Sequence, residues 1–85
     1  IKHTSGQDSY LKMSIDEAYK MSYEYMLKKN CINFLNTEID FYLRMYTTSG
    51  VCMYAYWAEK MPETTVEEFA RYLENAIPAK LRPYI

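Results

Sequence analysis

The side chains of this chain best suited to molecular contact are a group of tyrosines around one arginine. Four tyrosines, Arg44 and the only tryptophan lie within IDFYLRMYTTSGVCMYAYWAEK, residues 39–60. Tyrosine and arginine combine a large contact area with polar groups that remain hydrogen-bonded, and both are enriched at binding hot spots. This composition points to a contact surface rather than to a catalytic centre.

Residues that could act in catalysis are present without a recognisable arrangement. A nucleophilic serine or cysteine needs a base within hydrogen-bonding reach, and His3, the only histidine, falls in a polar segment at the start of the sequence. A cation such as Arg44 can lower the pKa of a nearby thiol such as Cys52, but the pattern supplies no base beside them. Most carboxylates fall where helix capping or strand ends explain them. We therefore expect a protein that is not an enzyme.

The cysteine, histidine and glycine positions predict neither a metal site nor a cofactor site. Cys31 and Cys52 form no C-x-x-C pair and have a single histidine to join them, which argues against zinc. Gly6 and Gly50, the only glycines, cannot form a phosphate-binding loop. We expect the two thiols to be reduced and mostly buried, with a disulfide between them as the alternative. Reduced thiols favour a cytoplasmic location.

Length and composition indicate one small folded domain. The chain has 85 residues, of which 49% are hydrophobic and 25% charged, which is typical of globular proteins of modest stability. The net charge of -1 gives no basic footprint for nucleic acid or anionic lipid, and no apolar run approaches the ~18 residues of a membrane span. We predict a polar tail over residues 1–9 and a single domain over residues 10–85.

The first helical pattern follows the tail. Ser14 can cap the first turn, with Glu17 completing a capping box, and the apolar spacing continues to Asn30. The next segment, residues 31–36, is short and apolar, and its period does not distinguish a helical extension from a short strand.

The last helical pattern lies between two prolines, Pro62 and Pro78. Two capping boxes are possible at its start, Thr64 with Glu67 or Thr65 with Glu68. An apolar face follows, made of Val66, Phe69, Ala70, Leu73 and Ile77.

The middle of the chain has the alternation of a strand. Four apolar residues occupy every second position, namely Ile39, Phe41, Leu43 and Met45. The TTSG segment then predicts a three-residue hairpin loop in which Gly50 takes a left-handed conformation. This register places apolar residues opposite one another: Met45 with Met53, Leu43 with Ala55, and Phe41 with Trp57. The alternative interpretation makes residues 38–46 and 51–61 two helices.

These elements predict an α+β fold, a small two-layer sandwich in the order helix, short strand, β-hairpin, helix. Its core would contain Phe41, Leu43 and Trp57, packed on Phe69 and Leu73 of the last helix. The alternative is an all-α protein with four helices.

The hairpin would place five residues together on the face away from this core: Tyr42, Arg44, Tyr46, Tyr54 and Tyr56. We predict that this face binds a protein partner or a second copy of the chain. Tyrosines also alternate on the solvent faces of ordinary sheets, where cross-strand aromatic pairs add about 0.2–1 kcal/mol each, so a purely structural role is the alternative.

The function predicted from these features is a small non-enzymatic interaction module, such as an inhibitor, an adaptor, an immunity-type protein or a regulatory subunit. The alternative is single-stranded nucleic-acid binding, in which bases would stack on the same tyrosines for ~1–3 kcal/mol each. The low charge disfavours that alternative, and no membrane partner is expected. A domain cut from a larger chain, such as an enzyme, is a third interpretation.

Overall fold

The computed structural model describes the backbone of residues 2–85 and the side chains of residues 9–85. It consists of three α-helices, α1 (Lys2–Asn30), α2 (Thr37–Lys60) and α3 (Val66–Asn75), followed by a 3-10 turn at Arg82–Tyr84. Residues 2–85 contain no strand. The predicted α+β sandwich is therefore wrong, and the protein belongs to the all-α class of the alternative. Where that alternative has two middle helices, the structure has one.

Helix α2 runs without interruption through the TTSG segment that was predicted to be a hairpin loop. Ile39, Leu43 and Thr47 recur every four residues and are all buried, which is helical spacing. The buried Thr47 hydroxyl donates to the Leu43 carbonyl oxygen at 2.9 Å, so the helix satisfies it internally. Gly50 does not have a positive φ. The apolar residues of segment 39–47 fit both the two-residue period of a strand and the 3.6-residue period of a helix. The segment is helical because this places Ile39 and Leu43 in the core with Met26 of α1.

The start of α2 is fixed by Asn36, a cap that the sequence patterns above did not identify. Its side-chain oxygen accepts the backbone N–H of Ile39 at 2.9 Å. Glu38 and Asp40 in the first turn and Lys60 in the last have the signs that the helix dipole favours. The helix ends just before Pro62, as that proline predicts.

The second of the two predicted capping boxes begins α3. The Thr65 hydroxyl accepts the N–H of Glu68 at 3.1 Å, and the Glu68 carboxylate accepts the N–H of Thr65 at 2.9 Å. The helix ends at Asn75, ahead of Pro78.

Helix α1 begins earlier than predicted and ends where predicted. Ser14 lies inside it, so the capping box proposed for Ser14 and Glu17 does not exist. A polar tail was predicted over residues 1–9. Apart from Ser9, the side chains of this segment lie outside the described residues. Residues 31–36 are neither strand nor helix but the connection to α2.

The C-terminal end of α1 is closed by a left-handed residue that is not glycine. Cys31 has φ 54°, and the N–H of Ile32 donates back to the Leu27 carbonyl at 3.1 Å. The N–H of Cys31 points to the Lys28 carbonyl at 3.4 Å, and Leu27 and Ile32 both pack against the core. This is the Schellman arrangement, in which glycine is the usual left-handed residue.

The hydrophobic core lies around the α1–α2 connection and is small. Within residues 9–85, its five buried hydrophobic residues are Met26, Leu35, Ile39, Leu43 and Leu81. Leu81 lies in the C-terminal segment, residues 76–85, and is only 1% exposed. Its burial holds this segment against the two long helices. The Asn30 side-chain amide holds it there by donating to the carbonyls of Met26 and Tyr84, at 2.8 and 2.7 Å.

The predicted core is correct at Leu43 and wrong at Phe41. Phe41 is 58% exposed because the helical rotation turns it away from the buried side of α2. Trp57 does pack on Phe69, with the rings stacked at 4.8 Å and 12°, but both are half-buried and join α2 to α3 outside the core. The indole N–H of Trp57 donates to the Thr64 carbonyl at 2.8 Å and anchors the connection between these helices.

Candidate interaction surface

The five residues predicted to form one contact face all lie on α2, where the helical rotation distributes them over more than one side. Successive residues of a helix are rotated by about 100°, which separates Tyr54 from Tyr56 and Arg44 from Tyr46. Tyr54, Tyr56 and Arg44 are exposed, whereas Tyr42 and Tyr46 are half-buried. The predicted tyrosine-rich sheet face therefore does not exist, because the alternation that would have built it belongs to a helix.

Tyr46 links α2 to the end of α3. Its hydroxyl donates to the Leu73 carbonyl oxygen. Burial raises the pKa of Tyr46 above its ordinary value, while the nearby Arg82 guanidinium opposes that shift. Tyr46 therefore remains neutral and acts as a hydrogen-bond donor at physiological pH.

Arg44 belongs to a polar link between α1 and α2. Its guanidinium carbon lies 4.0 Å from the centre of the Tyr19 ring, and its Nε lies 3.3 Å from an Asp40 carboxylate oxygen. Tyr19 donates its hydroxyl to the same carboxylate. The pKa of Tyr19 is raised, most strongly by burial and next by this hydrogen bond to Asp40. The Arg44 side chain nevertheless stays 59% exposed.

Tyr42 has a local role on α2. Its hydroxyl donates to a Glu38 carboxylate oxygen at 3.0 Å, one helical turn earlier. This hydrogen bond raises the pKa of Tyr42. The ring packs against the core, so Tyr42 supports the fold more than it offers a free surface.

An open apolar groove of about 250 Å³ lies on one side of Tyr46, between α1 and the C-terminal segment. Its walls include the exposed side chains of Met21, Tyr25 and Ile85, and its floor includes the buried Leu43. The Lys29 ammonium lies 5.9 Å from the centre of the Tyr25 ring and places a cation at the rim.

A second apolar groove, of about 280 Å³, lies on the other side of Tyr46, between α2 and the segment that follows α3. Met45 and Met53 form its α2 wall, and Leu73 and Pro78 line the opposite side. Because Tyr46 lines both cavities, we refer to them together as the Tyr46 grooves.

The exposed apolar side chains are more numerous than the buried ones. Against the five buried hydrophobic residues, fourteen large hydrophobic side chains are exposed in the described part of the chain. They are Tyr10, Met13, Met21, Tyr25, Phe34, Phe41, Met45, Met53, Tyr54, Tyr56, Met61, Val66, Tyr72 and Ile85.

The groove residues Met21, Tyr25, Met53 and Ile85 were not assigned to a contact surface from the sequence. Part of the signal was present, because six methionines in 85 residues is a high count and Met21 and Tyr25 are one helical turn apart. The return of the C-terminal segment, which creates both grooves, leaves no local sequence pattern.

The cysteines are placed differently from the prediction. Cys31 and Cys52 are free thiols on the surface, not buried ones. Among the side chains of residues 9–85, no three histidine, cysteine, aspartate or glutamate groups lie close enough together to hold a metal ion.

Comparisons with known proteins identified no relative of this chain. No protein-family model matches the chain, and no curated protein sequence or solved structure matches it. Within the described residues, none of the helices has both the length and the apolar character needed to cross a membrane.

Proposed function

We propose that this protein is a small, non-enzymatic interaction module whose exposed apolar side chains bind a protein partner. The observation that carries the proposal is that, among residues 9–85, five hydrophobic residues are buried while fourteen large hydrophobic residues are exposed. Extended apolar surface of this kind marks interaction sites in small proteins, which often complete their core by association.

The Tyr46 grooves are the surface best shaped for a partner. Apolar grooves between helices accept the hydrophobic face of an amphipathic helix, and flexible methionine side chains such as Met21 and Met53 adapt to its contour. Lys29 beside Tyr25 and Arg82 beside Tyr46 provide cations at the rims. The partner segment proposed is therefore a helix with apolar anchors and acidic flanks.

Single-stranded nucleic-acid binding is not carried forward. That hypothesis depended on several tyrosines presented together on a sheet face, where bases could stack. Because Tyr42 packs on the core and Tyr54 and Tyr56 lie on different sides of α2, the stacking surface is absent from the described structure.

Affinity capture from the native cell with three versions of the chain tests the proposal. The parent is compared with Met21→Glu, which places a carboxylate in a groove, and with Met13→Glu, the matched control. Both methionines are exposed on α1, but only Met21 lines a Tyr46 groove.

We expect one protein to be retained by the parent and by Met13→Glu and to be lost with Met21→Glu. A carboxylate in the groove is desolvated on binding and repels an acidic partner. Identical sets of captured proteins for all three versions would overturn the groove assignment. Capture of nothing beyond background by any version would overturn the interaction function itself.

A further inference from the structure

Helix α3 is strongly amphipathic, but it is packed only loosely on the rest of the protein. Four residues of its predicted apolar face lie within the helix. Of these, Phe69 and Leu73 are half-buried, whereas Val66 and Ala70 are exposed. No residue of α3, a helix that lies wholly within the described part of the chain, is buried. The core therefore joins α1 to α2 without a side chain from α3.

The contacts that hold α3 in place lie near the surface. The Phe69 ring stacks on Trp57 at 4.8 Å, and its centre lies 6.2 Å from that of the Tyr54 ring. Backbone carbonyls near the end of the helix accept hydrogen bonds from Tyr46 and from the exposed Arg82. A helix of 10 residues is marginal by itself, so α3 depends on these contacts. Elements with few buried contacts open at a lower free energy than the core does.

The chain on either side of α3 is anchored more firmly than α3 itself. Before the helix, the indole N–H of Trp57 donates to the Thr64 carbonyl at 2.8 Å. After the helix, Ile77 packs against the core and Leu81 is buried within it. Residues 65–76 can therefore leave α2 while both of their ends stay in place.

Helix α3 contributes a wall to one of the Tyr46 grooves only. Leu73 lines the second groove, and Ala76 and Pro78, which also line it, follow α3 directly. The described residues that line the first groove come from α1, α2 and the C-terminal segment, and none comes from α3. Detachment of α3 would therefore open the second groove and leave the first one assembled.

From these observations we infer that α3 is a strap, a helix tied at both ends that opens and closes the second Tyr46 groove. In the closed state, Leu73 lies across the groove from Met45 and Met53. In the open state, the α2 wall stands alone and α3 loses its helical structure. A partner segment in the groove contacts both walls and so favours the closed state. The inference rests on the proposed function only for this partner, because the opening is a property of the free chain.

Hydrogen exchange of the backbone amides in the free, folded chain tests the strap. NMR gives the protection of each amide relative to its intrinsic exchange rate. We expect the amides of Ala70 and Leu73 to be protected, but less than those of Leu43 and Thr47 in α2. The reason is that opening of the strap exposes the first pair and leaves the core around the second pair folded.

The variant Ile39→Val separates opening of the strap from unfolding of the whole protein. Ile39 is buried in the core, and loss of one methyl group there weakens the core without removing it. The amides of Leu43 and Thr47 should then exchange roughly two- to tenfold faster. The exchange of the Ala70 and Leu73 amides should be unchanged, because the core is intact in both the closed and the open state of the strap.

A matched pair of variants within α3 tests the contact that closes the strap. Phe69→Ala removes the ring that stacks on Trp57 and should speed the exchange of the Ala70 and Leu73 amides. Val66→Ala shortens a side chain that is 65% exposed and should leave their exchange unchanged.

Equal protection of the α2 and α3 amides in the parent would overturn the inference, and so would equal acceleration of both groups by Ile39→Val. Amides of α3 with no protection would also overturn it, because the strap would then have no closed state. These outcomes are distinct from failure of the proposed function. Met21 lines the first groove, which contains no α3 residue, so an unsuccessful capture experiment would contradict the function and leave the strap in place.

Discussion

At the scale of single residues, the left-handed Cys31 that ends α1 is the clearest local cost in the structure. A side chain with a Cβ is unfavourable at φ 54°, and glycine is not. Cys31→Gly should therefore stabilise the protein by about 0.5–1 kcal/mol, measured by chemical denaturation. Cys31→Ala keeps the Cβ and should change little. A glycine variant no more stable than the alanine variant would contradict this description of the helix end.

Tyr46 gives a prediction about pH at the same scale. Its folded pKa is raised by burial above the ordinary value of 10.0, so its contribution to stability is complete below that pH and is lost as the pH rises through the folded pKa. Tyr46→Phe removes the hydrogen bond to Leu73 and should cost about 0.5–1.5 kcal/mol near neutral pH.

The check is the difference in unfolding free energy between parent and Tyr46→Phe, measured at neutral pH and again above pH 10. The difference should shrink in alkali, because the parent loses its advantage when Tyr46 ionises. A difference that stays constant, or grows, would show that the hydroxyl is not held in the folded protein as described.

At the scale of elements, α2 is the decisive structure, and Gly50 tests it. Glycine inside a helix is destabilising relative to alanine, and a Cβ at this position would meet only Leu73 Cδ2 at 4.0 Å, an ordinary contact. Gly50→Ala should therefore stabilise the protein by about 0.5–1 kcal/mol in thermal or chemical unfolding. Destabilisation would instead support a left-handed Gly50 and the hairpin.

Local signals predicted some helix ends well, because the interactions that fix these ends join residues close together in the sequence. The capping box of Thr65 and Glu68 joins residues three apart, and Pro62 ends α2 through its own ring. Residues 39–46 were predicted wrongly because they fit two periods. The choice depends on contacts with Met26 and Leu81, which are distant in sequence.

The candidate surface was less predictable than the fold, for the same reason. The sequence predicted exposed tyrosines, but it placed Met45 and Met53 on the covered face of the hairpin, and both are exposed. It could not show that Tyr46 lies between two grooves, because those grooves form only when the residues from Leu73 to the C-terminus pack against α1 and α2. Nor could alternating tyrosines reveal that helical rotation separates Tyr54 from Tyr56.

At the scale of the whole molecule, the core and the apolar surface are unevenly distributed. The five buried hydrophobic residues gather around the α1–α2 connection, while exposed ones extend along both long helices. A chain with so small a core is expected to have modest stability alone. Binding of a partner to the folded state would add to it by mass action.

The most direct test of the central claim is oxidative footprinting of the methionines, in the native cell and in the dilute purified chain. Met26 is buried and should react slowly in both, and Met13, outside the grooves, should react readily in both. If the Tyr46 grooves hold a partner, Met21 and Met53 should react readily in the purified chain and be protected in the cell. Equal reactivity of these two methionines in both settings would contradict the account.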